Sequence, residues 1–497
     1  MSLLERSALR IAVFAAGALL MSLEVAAFRI IGKTFGSALR ETTAVIAIFL
    51  AAMAVGYWAG GRAGDRWPRA MTLVTTLLAA AGTLLFVPWI DSVLSPQIAA
   101  SSFALATHAF AATTVLFAIP TFLLAATSPI AIRLFATTTG QSGSTAGSIS
   151  ALSTAGSIAG SIVTAFLLID WLGSISRTVT FVAAGTLATA LMVLLAQRAR
   201  PRFALAGTVA LLTIVLGGAF LRARLLEPLP GGKRPVFVGD SAYHHIVVRD
   251  RGPVRDLRFN VGIQSEMLRH DPYGPGLAYS DALHITPLIR PNTRRILILG
   301  LGGGTAARQF THYYPNVVVD AVEVDPMVVE IAKRYFMVQP GERLRIHVGD
   351  ARTFLKQARD KWDLIIMDAY STNRYGDTLP PHLATREFFQ EVSTRLNDGG
   401  VVHFHCAYTN SKLMDAMHRT MASVFPSVLV TSGELLASHV PMIVGKDELL
   451  ARAKASPVSR LPVLPAHIAG LSDAPPPRDA MLLTDDYAPV DTLLGRH

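Results

Sequence analysis

Long apolar runs separated by short polar stretches fill the first 225 residues of the chain. Each run is close to the ~20 residues with which a helix crosses the hydrocarbon core of a bilayer. Seven segments qualify: Ile11–Ile31, Thr43–Ala59, Met71–Ile90, Phe110–Ile132, Gly147–Leu168, Val179–Ala196 and Phe203–Leu221. A soluble helical core does not hold so many such runs in succession. The pattern therefore predicts a multi-pass α-helical membrane domain over residues 1–225, with a first run too long for a removable signal peptide.

The pattern changes at residues 226–233, which are rich in proline and glycine and predict a linker. Residues 234–292 follow with short β-like runs between glycine, proline and charged residues, and they predict a small β domain. These runs are Pro235–Val238, His245–Val248 and Asp256–Phe259, with a turn at Gly262.

From Arg294 onwards, strand-like runs alternate with helical patterns. The strands are predicted at Ile296–Leu299, Leu344–Val348, Trp362–Asp368 and Gly399–Cys406, and the helices at Val329–Phe336, Ala351–Ala358, Thr385–Arg395 and Ser411–Ala422. Such alternation predicts an α/β doubly wound, Rossmann-like domain over residues 293–497. In such domains ligands bind beyond the carboxyl ends of the parallel strands.

Residues at these strand ends predict a site for a nucleoside-bearing cofactor. The strand Ile296–Leu299 runs into Gly300-Leu301-Gly302-Gly303-Gly304, and the next strand ends in Glu323. Glycines let the backbone approach a ligand where a Cβ would clash, and the acid can accept hydrogen bonds from both ribose hydroxyls. The phosphate-binding version of the motif is less well matched, because alanine stands where its third glycine would be. Asp350-Ala351, after a further strand, suits an adenine edge.

Charge separates the two halves of the chain. The whole sequence has 45 Lys and Arg against 35 Asp and Glu, with 51% hydrophobic and 16% charged residues. Residues 1–225 hold 15 basic and 6 acidic residues, whereas residues 226–497 hold 30 and 29. The basic excess therefore belongs to the flanks of the membrane segments. No Lys and Arg cluster with interleaved aromatic residues predicts a nucleic-acid partner.

Basic residues also bear on orientation. They follow the second and sixth predicted spans, at Arg62, Arg66, Arg69, Arg198, Arg200 and Arg202. By the positive-inside rule these loops are cytoplasmic, and seven spans would then put the C-terminal half outside the cell. A domain that uses a cytosolic nucleoside cofactor belongs inside. We therefore expect a cytoplasmic C-terminal half, so that either one apolar run is re-entrant or the charge rule fails near the last span.

Four ionisable residues lie within or at the ends of the predicted spans: Glu24, Arg29, His108 and Asp170. Such groups are costly in lipid, so we expect them to face the bundle interior or a wet cavity, or to reach the interface in the case of Arg29 and Asp170.

The single cysteine, Cys406, has no partner for an internal disulfide or a zinc site. It is predicted to be a packed strand residue, and no metal site is predicted.

Several motifs of residues 233–497 occur together: Ser241-Ala242-Tyr243-His244-His245-Ile246, Asn260-Val261-Gly262-Ile263-Gln264, Tyr279 with His284, the glycine turn, Val322-Glu323-Val324-Asp325, Gly349-Asp350-Ala351 and Asp368. As a set they resemble the spermidine synthases, which are aminopropyltransferases within the wider S-adenosylmethionine methyltransferase-like fold. The first motif and Gln264 separate this family from ordinary methyltransferases, which share only the sheet motifs.

The membrane half is similar to the module of about seven spans that is fused to bacterial spermidine synthase-like proteins. The similar segments are Ser22-Leu23-Glu24-Val25, Gly56-Tyr57-Trp58-Ala59-Gly60-Gly61-Arg62 and Pro120-Thr121. In the C-terminal half, the closing Leu483-Thr484-Asp485-Asp486-Tyr487-Ala488-Pro489-Val490 is similar to the same fused group. This resemblance implies a multi-pass protein of the bacterial inner membrane in contact with the lipid bilayer, and it allows a homodimer.

The resemblance also implies roles for single residues. Asp368 matches the family's proton acceptor, and Tyr279 is expected to position the amine. An amine attacks the carbon beside a sulfonium only as its neutral free base, so a carboxylate that takes its proton speeds the step. The residues implied to hold the nucleoside of decarboxylated S-adenosylmethionine or S-adenosylmethionine are Gln264, Gly300, Gly302, Gly304, Glu323, Asp350 and Ala351.

Departures from the family pattern fall on the side of the amine. Acids or histidine of the family are replaced here by Thr305, Ser280, Ser371 and Pro275-Gly276. The family uses these positions to grip a dication, and a buried ammonium without a carboxylate is unfavourable. Asp281, Glu266 and Asp377 are the candidate substitutes. These departures argue against putrescine as the acceptor.

Three functions remain open at this point. The first is a membrane-bound transferase that moves an aminopropyl or related alkyl group to an amine acceptor larger or more apolar than putrescine. The second is an S-adenosylmethionine-dependent methyltransferase that acts on a lipid or other membrane-held substrate. The third is a transporter or sensor with a nucleoside-binding domain.

Overall fold

The computed structural model describes residues 2–36, 39–101, 105–136, 142–197, 235–260, 262–373, 376–406, 412–442 and 445–493. The chain forms two compact units. The helical unit comprises Met1–Arg234 with Gly239–Ala242, and the sheet unit comprises Pro235–Val238 with Tyr243–His497.

The helical unit consists of long apolar helices. They are α1 (Leu3–Phe35), α2 (Leu39–Arg66), α3 (Ala70–Ala99), α4 (Leu105–Phe135), α5 (Ser142–Val163), α6 (Ile169–Leu172) and α7 (Ile175–Ala196), with a π-helical turn at Thr164–Leu168. In the described residues, six helical segments are long and apolar enough to cross a membrane, and they contain the first six predicted spans. The seventh predicted span, Phe203–Leu221, and the predicted linker at 226–233 lie outside the described residues.

Small residues let α1 and α5 pack closely. A Cβ on Gly156 would lie 2.0 Å from the carbonyl oxygen of Phe14, so no larger residue fits at this crossing. Of the ionisable residues predicted in the spans, Glu24 and Arg29 are partly buried and His108 is buried. The side chain of Asp170 lies outside the described part of the structure.

The small sheet has four strands in the order β1-β2-β3-β4. They are β1 (Phe237–Asp240), β2 (His245–Arg251), β3 (Val254–Phe259) and β4 (Gly262–Leu268). The sequence patterns predicted only a turn at Gly262, and the structure adds a fourth strand, β4, that was not predicted. The rest of the predicted β segment contains no strand in the described residues; it has turns and two short helices, α8 (Tyr279–Ala282) and α9 (Ile285–Ile289). Apolar residues of the small sheet, among them Ile246 and Phe259, pack against Phe336 of the larger domain.

The large sheet confirms the predicted α/β doubly wound fold. Its seven strands lie in the order β12-β13-β11-β8-β5-β6-β7. They are β5 (Arg295–Leu299), β6 (Val318–Glu323), β7 (Leu344–Val348), β8 (Trp362–Met367), β11 (Leu396–His405), β12 (Ser427–Thr431) and β13 (Glu434–Ser438), while β9 (Ser371–Asn373) and β10 (Gly376–Thr378) form a separate hairpin. Strands β7, β6, β5, β8 and β11 are parallel, whereas β13 is antiparallel to β11 and β12 to β13.

Helices cover both faces of this sheet. They are α10 (Thr305–Tyr313), α11 (Pro326–Tyr335), α12 (Ala351–Gln357), α13 (Arg386–Thr394), α14 (Lys412–Ala422), α15 (Lys446–Lys454), α16 (Leu464–Ala469) and α17 (Val490–Leu493), with 3₁₀ turns at Pro381–Leu383 and Pro457–Arg460. Two apolar cores result, one on each face, and alternate residues of β5 point into each. The carboxyl ends of β5, β6, β7 and β8 therefore meet along one edge, where the ligand site is expected.

Candidate active site

A cavity of about 550 Å³ lies at the carboxyl ends of β5 to β8 in the sheet unit. Most of the predicted site residues line it: Gln264, Tyr279, Ser280, Gly300, Gly302, Thr305, Glu323, Asp350, Ala351 and Asp368. Further lining residues include Tyr243, His244, Phe259, Tyr370, Pro380 and His382. The topology of the sheet thus brings the two predicted groups, for the nucleoside and for the amine, into one cavity.

The glycine turn is shaped by contacts within the protein. Gly300 has a φ of 101°, which L side chains rarely adopt, and a Cβ there would lie 2.1 Å from the carbonyl oxygen of Asp368. Gly304 does not line the cavity; a Cβ there would lie 2.3 Å from Val338 Cγ2. These glycines bring the turn close to the end of β8 and to Val338, whereas the sequence argument assigned them to ligand approach.

Glu323 ends β6 and is buried. Its Oε2 accepts hydrogen bonds from the backbone N–H groups of Leu301 (3.0 Å) and Gly302 (3.3 Å), and its Oε1 accepts one from Asp325 N–H (3.0 Å). Burial raises the pKa of Glu323, while these backbone donors oppose the rise. The carboxylate therefore fixes the glycine turn as well as lining the cavity.

Asp350 begins α12 as its N-cap. Its Oδ1 accepts a hydrogen bond from Thr353 N–H (2.8 Å), and its Oδ2 lies 2.9 Å from His382 Nε2. Partial burial raises the pKa of Asp350, but the hydrogen bonds from Thr353 and His382 outweigh burial and leave the pKa below its usual value. This carboxylate is ionised at neutral pH and can accept a hydrogen bond from a ligand.

Strand β4 carries Gln264 to the wall of the cavity. Its neighbour Ser265 accepts a hydrogen bond through Oγ from Gly303 N–H (2.8 Å). The small sheet is therefore joined to the glycine turn by a direct contact, which fixes the place of Gln264 relative to Glu323.

Asp368 follows β8 directly, and Tyr279 begins α8. The Tyr279 hydroxyl donates a hydrogen bond of 2.8 Å to Asp368 Oδ2. On its ring face Tyr279 stacks against His405, with centroids 3.9 Å apart and an interplanar angle of 17°. A carboxylate held by a tyrosine in a cavity can take a proton from a bound amine.

The predicted amine-side residues divide into two groups. Ser280 and Thr305 line the cavity, with Ser280 Oγ donating to Leu277 O (2.7 Å) and Thr305 Oγ1 to Glu266 O (3.3 Å). Asp281, also predicted on the amine side, is not part of the cavity lining. It is buried, and its Oδ2 accepts a hydrogen bond from Val463 N–H (3.0 Å).

Two of the candidate acids cannot be assigned to the amine either. The Glu266 carboxylate pairs with Arg251 Nη2 at 2.5 Å and does not line the cavity. The side chains of Ser371 and Asp377 lie outside the described part of the structure.

Sequence reasoning missed several residues near the cavity, chiefly histidines. His382, a partner of Asp350, lies in a 3₁₀ turn far along the chain from it, and no local signal places them together. His244, whose ring stacks on Phe259 at 4.2 Å, was noted only within a family motif. In the described ranges no group of three or more His, Cys, Asp or Glu is placed to hold a metal ion. Cys406 is buried, as predicted, but it follows β11 directly instead of lying within the strand.

A doubly wound sheet, a glycine turn tied to a strand-end acid, and a tyrosine-bound carboxylate in the same cavity define a Rossmann-like domain with a cavity suited to a nucleoside. A scan of protein families matches residues 277–442 to the spermine/spermidine synthase domain. The polyamine aminopropyltransferase of Vibrio vulnificus (strain CMCP6) is 33% identical over 301 residues, which cover 55% of this chain and 96% of that relative. The chain belongs to the polyamine aminopropyltransferase family.

Two further proteins are similar to this chain. The polyamine aminopropyltransferase of Corynebacterium efficiens is 28% identical over 417 residues, which cover 78% of this chain and 75% of the relative. Among solved structures, a probable spermidine synthase from Corynebacterium glutamicum is similar with a TM-score of 0.41 and 18% identity, covering 53% of this chain and 98% of that one.

Proposed function

We propose that this chain is a membrane-bound aminopropyltransferase that moves the aminopropyl group of decarboxylated S-adenosylmethionine to an amine acceptor. The observation that carries the proposal is the hydrogen bond between Tyr279 and Asp368 inside the cavity that Glu323 and Asp350 also line. The sheet unit is proposed to lie on the cytoplasmic side of the membrane, where the donor is made.

Asp368 is proposed to act as the base. The acceptor enters as an ammonium ion and transfers one proton to the Asp368 carboxylate. Its nitrogen lone pair then attacks the aminopropyl carbon beside the sulfonium, the C–S bond breaks, and both of its electrons remain on sulfur in methylthioadenosine. Tyr279 holds the carboxylate in place through its hydroxyl. Gln264, Glu323, Asp350 and Ala351 are proposed to hold the nucleoside.

The carboxylates at the acceptor end of the cavity support the proposal that the acceptor is an amine other than putrescine. Among the described lining residues the carboxylates are Glu323, Asp350 and Asp368, and the first two are bonded at the nucleoside end. A single carboxylate suits an acceptor whose other end is not a second buried ammonium.

The test is an assay of the full chain purified from membranes in detergent. The enzyme receives decarboxylated S-adenosylmethionine or S-adenosylmethionine with a panel of monoamines and diamines, and products are identified by mass spectrometry. An aminopropylated amine and methylthioadenosine are expected. A methylated product would favour the methyltransferase, and ligand-induced thermal stabilisation without turnover would favour a sensor or transporter. Recovery of the chain without detergent would contradict the membrane location.

We predict that Glu323→Ala weakens binding of methylthioadenosine by about 1.5–3 kcal/mol, the range for hydrogen bonds that involve a charged group. Calorimetry on the folded variant measures the change. The matched control is Glu330→Ala, because Glu330 pairs with Lys333 and does not line the cavity. Equal affinity of the Glu323 variant and the wild type would remove Glu323 from the nucleoside site.

A further inference from the structure

A buried carboxylate lies behind the acceptor side of the cavity, between two histidines. Glu434 is fully buried, with its Oε1 2.8 Å from His405 Nδ1 and its Oε2 3.2 Å from His403 Nε2. The two histidines and Glu434 form the His-Glu-His cluster. None of the three lines the cavity, and the proposed mechanism uses none of them.

Strand register explains why these residues meet. His405 of β11 is directly opposite Glu434 of β13 in the antiparallel pair, and His403 lies two residues away on the same face of β11. Side chains opposite and diagonal to each other on one sheet face are within contact distance. The cluster is thus built into the sheet, and its face of β11 is the one that meets Tyr279.

Burial of the Glu434 carboxylate favours binding of an extra proton to the cluster. With both imidazoles neutral and each donating to Glu434, the cluster carries one buried negative charge, which low-dielectric surroundings disfavour. Uptake of one proton neutralises it. Burial, with a smaller contribution from the nearby Asp368 charge, raises the pKa of Glu434 to about 8, although the hydrogen bond and charge of His403 oppose the rise.

Of the two histidines, His405 is the better place for this extra proton. His403 is fully buried, and its Nδ1 has no hydrogen-bond partner among the described residues. A second N–H on His403 would therefore be buried and unsatisfied, which is unfavourable. A proton shared between Glu434 and His405 would leave no such group, and the His405 ring stacks on Tyr279.

Other titratable groups face His405 from the elements packed around it. Tyr370 meets its ring at 5.8 Å and 70°, and donates a hydrogen bond to the His405 carbonyl oxygen (2.7 Å). His467 has a pKa lowered by its burial and by the charge of His405. The charge of Asp368, which accepts a hydrogen bond from Tyr279, also acts on Glu434.

We infer that His405, held by Glu434 and sharing its proton, is a positioning residue of the acceptor site. The protonated ring stacks on Tyr279, a contact that a cation strengthens, and so holds the tyrosine hydroxyl against Asp368. The base is then placed correctly only while the cluster keeps its proton. This inference rests on the proposed function, because it gives His405 a role in the same aminopropyl transfer.

The experiment compares the wild type with His405→Phe, which keeps a ring against Tyr279 but cannot carry the proton, and with Glu434→Gln, which keeps hydrogen-bonding atoms but not the charge. Both variants should lower kcat/KM for the amine about tenfold at pH 7, because small displacements of catalytic groups have effects of this size or larger. The loss should shrink by pH 9, where the wild-type cluster has also lost its proton. The affinity of both variants for methylthioadenosine should stay within about twofold of the wild-type value, because the cluster does not touch the nucleoside site.

The matched control is His347→Phe. His347 Nε2 pairs with Asp320 Oδ1 at 3.2 Å in the same sheet but does not line the cavity or contact Tyr279. This variant should keep wild-type kinetics at both pH values. A loss in the cluster variants that is equal at pH 7 and pH 9, or that affects nucleoside affinity equally, would overturn the inference in favour of a purely structural role.

A double variant covers the case in which a single change prevents folding. His405→Phe with Glu434→Leu leaves no carboxylate buried and unpaired. His403 loses its partner, which is less unfavourable for a neutral imidazole than an unpaired buried charge is for a carboxylate. It should fold and show the same pH-dependent defect. A wild-type pH profile in this variant would contradict the inference. Absence of aminopropyl transfer in the wild type itself would instead refute the proposed function, so the two failures are distinguishable.

Discussion

Asp368→Asn should reduce turnover by ~10²-fold or more, which is the usual contribution of a positioned general base. The amide has the shape of the carboxylate and can still accept the hydrogen bond from Tyr279, but it cannot take a proton from the amine. Binding of the donor nucleoside should change little, since Asp368 is proposed to act on the acceptor. Single-turnover kinetics with saturating donor and acceptor measure the chemical step, and calorimetry with methylthioadenosine measures binding.

Strand β8 offers a matched control at its opposite end. Asp363 Oδ2 accepts hydrogen bonds from the backbone N–H groups of Arg294 and Arg295, both at 2.8 Å, and lies outside the cavity lining. Asp363→Asn should lower thermal stability while the folded fraction keeps its turnover. Wild-type turnover in Asp368→Asn across the pH range would leave Asp368 with a structural role only.

The central parallel strands were predictable from sequence because they are buried on both faces. Such strands appear as continuous apolar runs that end at glycine or a charged residue. The predicted Leu344–Val348 agrees with β7 at both ends, and the predicted Ile296–Leu299 differs from β5 by one residue. Because ligands of these sheets bind at the strand ends, the positions of Glu323, Asp350 and Asp368 in the cavity followed from the same pattern.

Strands with polar positions were harder to predict. Strand β4 contains three consecutive polar residues, Gln264, Ser265 and Glu266, so it lacks the apolar alternation that marks a strand. The hairpin of β12 and β13 contains Glu434 in a strand, where glutamate is uncommon. The place of Glu434 is stabilised by two histidines from another strand, a tertiary contact that no local pattern contains. The place of Asp281 outside the cavity lining could not be predicted for a related reason, because nothing near it in sequence shows that Val463 N–H is its partner.

Gly300→Ala should destabilise the sheet unit by at least about 2 kcal/mol, because two unfavourable effects coincide. The new Cβ would lie 2.1 Å from the carbonyl oxygen of Asp368, and the residue would have to keep a φ of 101°. Overpacking against backbone has an effect of roughly 1–3 kcal/mol, and left-handed backbone for a non-glycine residue adds roughly 1–2 kcal/mol. Thermal or denaturant unfolding of the sheet unit measures the change.

The same substitution should also lower turnover, since the atom that must move belongs to the backbone of Asp368, the proposed base. The matched control is Gly349→Ala. Gly349 lines the same cavity, but a Cβ there would meet nothing within 4 Å, and its φ is not positive. Its stability should therefore stay within about 0.5 kcal/mol of the wild type, as for most substitutions without a packing or backbone conflict. Equal stability of the two variants would show that the glycine turn can relax away from β8, and the argument that Gly300 positions Asp368 would then fail.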